Sequence, residues 1–108
     1  MNERRIRLEG RLDSHAIPTL EQLLAEATQR GDALLMLDMT RVTFLGSLGL
    51  RAVLVAARRL AASGGGLAVH ASPAIAQVFA VSGIDRVVPV RETEAEAFAV
   101  PADGRAHA

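Results

Sequence analysis

Apolar and polar positions change period several times along this chain, and those changes mark its elements. Arg5 to Glu9 alternates as RIRLE, with Ile6 and Leu8 on one face and Arg5, Arg7 and Glu9 on the other. That spacing predicts a half-buried strand. Gly10 and Asp13 predict a turn. Asp13 or Ser14 can cap the helix that follows, and Pro18 fits its first turn. Ile17, Leu20, Leu23, Leu24 and Ala27 then recur at helical spacing, with Glu21, Gln22, Glu26 and Gln29 opposite and Gly31 as the stop. Ala33 to Leu37 is a nearly continuous apolar run. A parallel strand covered on both faces reads this way, and Asp38 is expected to close it.

Arg41 to Leu45, with Val42 and Phe44 alternating against Arg41 and Thr43, predicts an edge strand or an extended connection. From Ser47 the period is helical. Leu50, Val53, Leu54, Ala57, Leu60 and Ala61 form one face, and Arg51, Arg58 and Arg59 lie largely on the other. Gly64-Gly65-Gly66 predicts a helix-to-strand turn. Leu67 to His70 is a short strand. Ser72 and Pro73 open a helix facing inward through Ile75, Val78, Phe79 and Ser82, and Gly83 ends it. Val87 to Val90 is a last strand, and Thr93 caps a helix from Glu94 to Ala99. Helices between strands predict one α/β domain. The expected sheet is mixed, mostly parallel and four- to five-stranded, with about four helices. Residues 1–100 are expected to form the domain and 101–108 a loose tail.

Composition narrows the function classes. With 108 residues, half of them hydrophobic, the chain can bury a real core. Trp and Tyr are absent, so that core is aliphatic apart from Phe44, Phe79 and Phe98. A formal net charge of zero argues against general attraction to nucleic acid or acidic membranes. No apolar run approaches a membrane span, and the first residues lack the apolar centre of a signal peptide, so a cytoplasmic protein is expected. Cysteine is absent, which excludes disulfides and thiol chemistry. All twelve basic residues are Arg, which removes the phosphate-loop lysine and Schiff-base chemistry. His15, His70 and His107 lack metal-site spacing, and no cofactor is expected.

Ser47 is the one residue that points to chemistry. The hydrolase pattern G-x-S-x-G fails because Leu45 stands two residues before it, although Gly49 fits the second glycine. Two readings remain. Ser47 caps a helix beginning at Leu48, or it is a phosphoacceptor whose added charge would lie at the positive end of that helix. Val42, Leu45 and Leu48 bracket the turn, and any of them left exposed would form a small docking patch. A small α/β enzyme or nucleotide-binding protein has only this turn in its favour, against the missing base pattern and missing Lys.

Three blocks carry a resemblance: LEGRLDSHAIPTLEQLL (Leu8 to Leu24), LLMLDMTRVTFLGSLGLRAVL (Leu34 to Leu54) and IAQVFAVSGIDRVVPV (Ile75 to Val90). The chain resembles the STAS domain of sulfate transporters and anti-sigma-factor antagonists from about Arg5 to Phe98, most of all the small stand-alone antagonists. In that family the turn typically reads Asp-Ser-Ser-Gly or Asp-Ser-Thr-Gly, and its first hydroxyl residue is phosphorylated by the anti-sigma kinase. The resemblance places that acceptor at Ser47 and the glycine at Gly49. Gly46 stands where the family has its acid, and Leu48 where it has its second hydroxyl residue. The lost carboxylate bears on how readily Ser47 is phosphorylated and on which kinase is accepted.

The resemblance implies a non-enzymatic partner-switching protein. It would bind an anti-sigma factor of the serine-kinase type and be switched off by phosphorylation. Thr43, Leu45, Gly46, Leu48, Gly49 and Arg51 are the expected partner contacts, together with Asp13, Ser14 and His15 in the loop leading into the first helix. The strand that usually begins the family domain is mostly missing, which implies an open sheet edge. The alternative is a STAS subunit of a lipid-transport ATPase or a signalling scaffold, which would bind without phosphorylation.

Overall fold

The computed structural model describes residues 3–30 and 34–99. Four strands and four helices alternate: β1 (Glu3–Leu12), α1 (Ile17–Arg30), β2 (Leu34–Leu45), α2 (Ser47–Ala62), β3 (Gly66–Ala71), α3 (Pro73–Ser82), β4 (Val90–Arg91) and α4 (Glu94–Phe98). The sheet order is β1-β2-β3-β4, and every neighbouring pair is parallel. The sheet is therefore wholly parallel among the described residues, where a mixed one was expected. Each crossover steps to the next strand in the same direction. Crossovers of one hand then fall on one face.

Side chains of β2 and β3 divide between the two faces. Leu35, Leu37, Met39, Leu67, Val69 and Ala71 join the main core with residues of α1, α2 and α3. Leu34, Met36 and Ala68 point the other way and are covered by Ala97, with Phe98 packed alongside. This explains the unbroken apolar run in β2: both faces of that strand are dry.

Several expected boundaries move. Asp38 does not close a strand, because β2 continues to Leu45, and Arg41–Leu45 is its second half. The carboxylate is satisfied in place. Thr40 donates to Asp38 Oδ1 from its N–H at 3.0 Å and from its hydroxyl at 2.6 Å, and Arg7 Nε lies 3.4 Å from Oδ2. Gly10 is inside β1 with φ +80°, beside one of two register shifts against β2. A bulge takes up the glycine that was expected to make a turn. The helix caps expected at Asp13 or Ser14 are not formed. Asp13 Oδ1 instead accepts the N–H of His15 at 3.1 Å, and α1 starts at Ile17 behind a turn in which Ala16 N donates to Asp13 O. Gly31 and Ala33 lie outside the described residues.

Elsewhere the local chemistry works as the residue types suggest. Gly64, with φ +87°, reverses the chain after α2, and the N–H of Gly65 reaches Leu60 O at 2.8 Å. Ser72 Oγ and Thr93 Oγ1 cap α3 and α4. Gly83 closes α3 in the left-handed region. The last strand is shorter and later than expected. Ile84–Arg86 forms a 3-10 turn, Val88 is buried without a ladder partner, and only Val90 and Arg91 pair with β3. In α2, Ala52 and Ala56 are buried along with the predicted face, while Leu54 and Ala61 are half-buried. Leu23 of α1 is also more exposed than its spacing suggested.

Candidate functional site

β2 is longer than its neighbour. Its pairing with β3 ends at Met39↔Ala71, and from there to Leu45 it pairs with β1 alone. Thr40–Leu45 therefore extends up to roughly 20 Å past the β3 ladder. At the tip the chain turns once, at Gly46, and enters α2. Gly46 occupies the N-cap position without a side-chain cap, and its carbonyl accepts the N–H of Leu50 at 3.0 Å. Ser47 is the first helical residue and not the cap, so the capping explanation for its hydroxyl does not hold. The Ser47 side chain is exposed, and the first turn of α2 holds no acidic residue. First-turn N–H groups and the helix dipole make this a favourable place for added negative charge.

The residues around the turn fall into two groups. Leu45 is 5% exposed and Gly49 is buried, so both are structural where they were expected to meet a partner. A Cβ on Gly49 would stand 2.7 Å from Leu45 Cδ1 and 3.6 Å from Leu12 O. The missing side chain is what lets α2 start directly against the ends of β1 and β2. Val42 is likewise buried. Ser14, His15, Thr43, Leu48 and Arg51 are exposed, Asp13 and Gly46 partly so, and Leu48 is the most open of the apolar ones at 53%.

Two residues of this surface escaped the sequence reading. Phe44 is 40% exposed, because the register shifts turn it outward while Val42 and Leu45 turn inward. The guanidinium of Arg11 lies 4.5 Å from the centroid of the Phe44 ring, a cation–π contact. Arg11 Nε also lies 3.7 Å from Asp13 Oδ2. Asp13, Arg11 and Phe44 thus link the loop before α1 to the Ser47 turn. The ring bears on Gly46 as well, since a Cβ there would meet Phe44 Cε2 at 3.3 Å. Phe44 takes up space next to the position where the family acid would stand. Its being the sole aromatic in the stretch was the available signal.

A second polar group lies on the α4 face of the sheet. Asp38, His70 and Glu94 bring donor atoms within 4.8 Å of one another. Both carboxylates are engaged, Asp38 by Arg7 and Glu94 by Arg5 at 3.2 Å, and His70 Nε2 lies 3.1 Å from the carbonyl oxygen of Glu92. The group reads as a charge network tying β1, β2, β3 and α4 together. Burial alone would push the Asp38 carboxyl up. The Thr40 hydroxyl and N–H, with the charges of His70 and Arg7, outweigh it and hold the group below its ordinary 3.8.

A lowered folded-state value means that the unfolded chain binds more protons in the window just below pH 4. The stabilisation from Asp38 is present above that window and is lost as pH falls through the folded value. Asp38→Asn is expected to be less stable than wild type near neutrality and to lose less on acidification. Denaturant titrations across the acid range would show this as a shallower acid limb, and equal limbs would contradict it.

The structure is thus a parallel α/β layer with an exposed serine at the first position of a helix. The chain belongs to the STAS_2 family, described as Mlab, STAS domain, which it matches over residues 1–89. Several of its relatives are named anti-sigma factor antagonists. A Bordetella bronchiseptica protein assigned as the anti-sigma factor antagonist BtrV is 35% identical over 95 residues, covering 84% of this chain and 82% of that protein. The crystal structure of an anti-sigma factor antagonist from Mycobacterium paratuberculosis superposes with a TM-score of 0.80 at 27% identity, covering 87% of this chain and 80% of the other. The phosphorylated form of the Bacillus cell fate determinant SpoIIAA superposes with a TM-score of 0.66 at 31% identity, covering 91% and 90%. Among the described residues no helix is long and apolar enough to cross a membrane.

Proposed function

We propose that this protein is a cytoplasmic anti-sigma factor antagonist that works by partner switching. Unphosphorylated, it binds an anti-sigma factor through the Ser47 surface and so frees a sigma factor. Phosphorylation of Ser47 by an anti-sigma factor of the serine-kinase type then ends the interaction. The observation that carries this reading is the Ser47 hydroxyl itself, exposed at the first position of α2, in a first turn without acids. Its relatives, assigned as anti-sigma factor antagonists, support the partner class. The kinase brings ATP and magnesium. This chain contributes only the acceptor oxygen, which takes the phosphoryl group as ADP leaves and its own proton is released. It is not an enzyme in this scheme. Leu48, Phe44, Thr43 and Arg51 form the contact surface, with Asp13, Ser14 and His15 at its margin.

Incubation with the serine-kinase anti-sigma factor encoded in the same genome, with ATP and magnesium, is expected to place one phosphate on this chain. Peptide mass spectrometry should locate it at Ser47. An unmodified Ser47, with the kinase shown to be active on another substrate, would overturn the proposal.

Gly46 and Leu48 favour a second reading. The Phe44 ring bears on the position of the family acid, which suits a docking module that is never phosphorylated. Such a module would be a STAS subunit of a lipid-transport ATPase or of a signalling scaffold. Co-purification of transporter subunits without an anti-sigma factor would select it.

A further inference from the structure

Leu48 and Val55 are the two large apolar residues that α2 leaves exposed, and they are seven positions apart. That spacing puts them on one stripe of the helix. The stripe runs beside α1, and the two helices bound an open groove of about 370 Å³ that begins at Leu48, next to Ser47, and leads away along α2. Ala25, Ala52 and Ala56 line it. Small residues there let another backbone approach closely. Arg51 and Arg59 flank it against a single acid, Glu21. The ion pairs among the described residues are Arg5–Glu94, Arg7–Asp38 and Arg11–Asp13, so neither groove arginine is neutralised by them. Arg51 and Arg59 are separated along α2 by roughly 12 Å, about two helical turns.

We infer that this groove receives one face of an amphipathic helix from the partner protein, bearing two carboxylates about two turns apart with aliphatic side chains between them. A helix is the occupant the geometry favours. The walls are two helix ridges, which mesh with a third at separations of about 8–10 Å. They offer no free main-chain ladder to an extended strand. The excess of guanidinium over carboxylate selects an acidic helix over a basic one. The aliphatic side chains of the guest cover Leu48 and Val55, and its carboxylates meet Arg51 and Arg59. The inference rests on the proposed function only for the identity of the partner. The groove and its charge stand without it.

The probe is a stapled helical peptide of about fifteen residues, roughly four turns, with two Glu about two turns apart and Leu between them. Its control is the same peptide with both Glu replaced by Gln. Fluorescence anisotropy against the full chain is expected to show saturable binding of the acidic peptide, weakened about tenfold by the Gln peptide and by Arg59→Glu. Amide shifts in the NMR spectrum should concentrate at Ala25, Ala52 and Ala56. Arg59→Gln is the milder second variant, with folding checked by circular dichroism. No binding of the acidic peptide, or equal binding of both peptides, would overturn the inference. So would a concentration-dependent dimer that Arg59→Glu dissolves, because the groove would then belong to a second copy of this chain. The peptide assay contains no anti-sigma factor. A failure to phosphorylate Ser47 therefore leaves it readable, and its own failure leaves the Ser47 reading in place.

Discussion

Ser47→Asp is expected to weaken binding to the anti-sigma factor by roughly 30- to 100-fold, or about 2–3 kcal/mol, while Ser47→Ala keeps wild-type affinity. The two variants differ in charge at a site where the fold tolerates charge. Ser47 is exposed at the N-terminus of α2, where a carboxylate gains about 0.3–1 kcal/mol from the helix dipole, so neither variant should melt earlier than wild type. The partner surface is different. Leu48 and Phe44 flank the same turn and are exposed. A partner that covers them would also cover the new carboxylate, whose desolvation is costly unless a cation meets it. Ala removes only a small hydroxyl from that contact. Titration calorimetry on the three proteins, with melting curves as the folding control, reads the effect directly. Equal affinities across the series would remove the switch from the mechanism.

The largest expected effect on stability comes from Phe79→Ala, about 3–5 kcal/mol. Phe79 is fully buried and stands among the largest side chains in the main core, on the inner face of α3. Truncation loses its transfer energy and leaves a cavity that a parallel sheet and its neighbouring helices cannot close. Against a total stability of about 5–15 kcal/mol for a domain, that is a large share. Urea unfolding should show a lower midpoint at unchanged slope. A loss below about 1 kcal/mol would mean that the site collapses around the smaller side chain. A truncation on the surface of α3, Val81→Ala, should do almost nothing, since Val81 is 77% exposed.

Much of this fold is legible in the sequence, and the reasons are local. The run Leu34 to Leu37 announces a strand dry on both faces, and Ser72-Pro73 and Thr93 announce helix starts, because each depends on neighbours in sequence. The failures share a cause of the opposite kind. Asp38 looked like a strand end, but Arg7 on β1 and the nearby Thr40 keep it inside the ladder. Gly10 looked like a turn, but the register of β1 against β2 makes it part of a bulged strand. Phe44 looked like a partner of Val42 on one face, and the same register shifts turn it outward, where Arg11 stacks on it. At the turn, the onset of the helix at Ser47 and the outward position of Arg51 were legible from the helical period, while the exposure of Leu48 was left open. The burial of Leu45 and Gly49 was not, because it depends on how closely α2 meets the end of β1, a contact between residues far apart in the chain.

The overhang of β2 past β3 separates two kinds of heredity in one polypeptide. Thr43, Phe44, Gly46 and Leu48 sit on or just past that overhang, outside the buried main cluster, while Leu35, Leu37 and Met39 lie inside it. Substitutions at the outward positions Thr43 and Leu48 can therefore accumulate with little draw on the stability that the rest of the strand provides, whereas Val42 and Leu45 of the same overhang stay tied to the core. Duplicated copies of such a gene can drift toward mutually exclusive partners while folding identically.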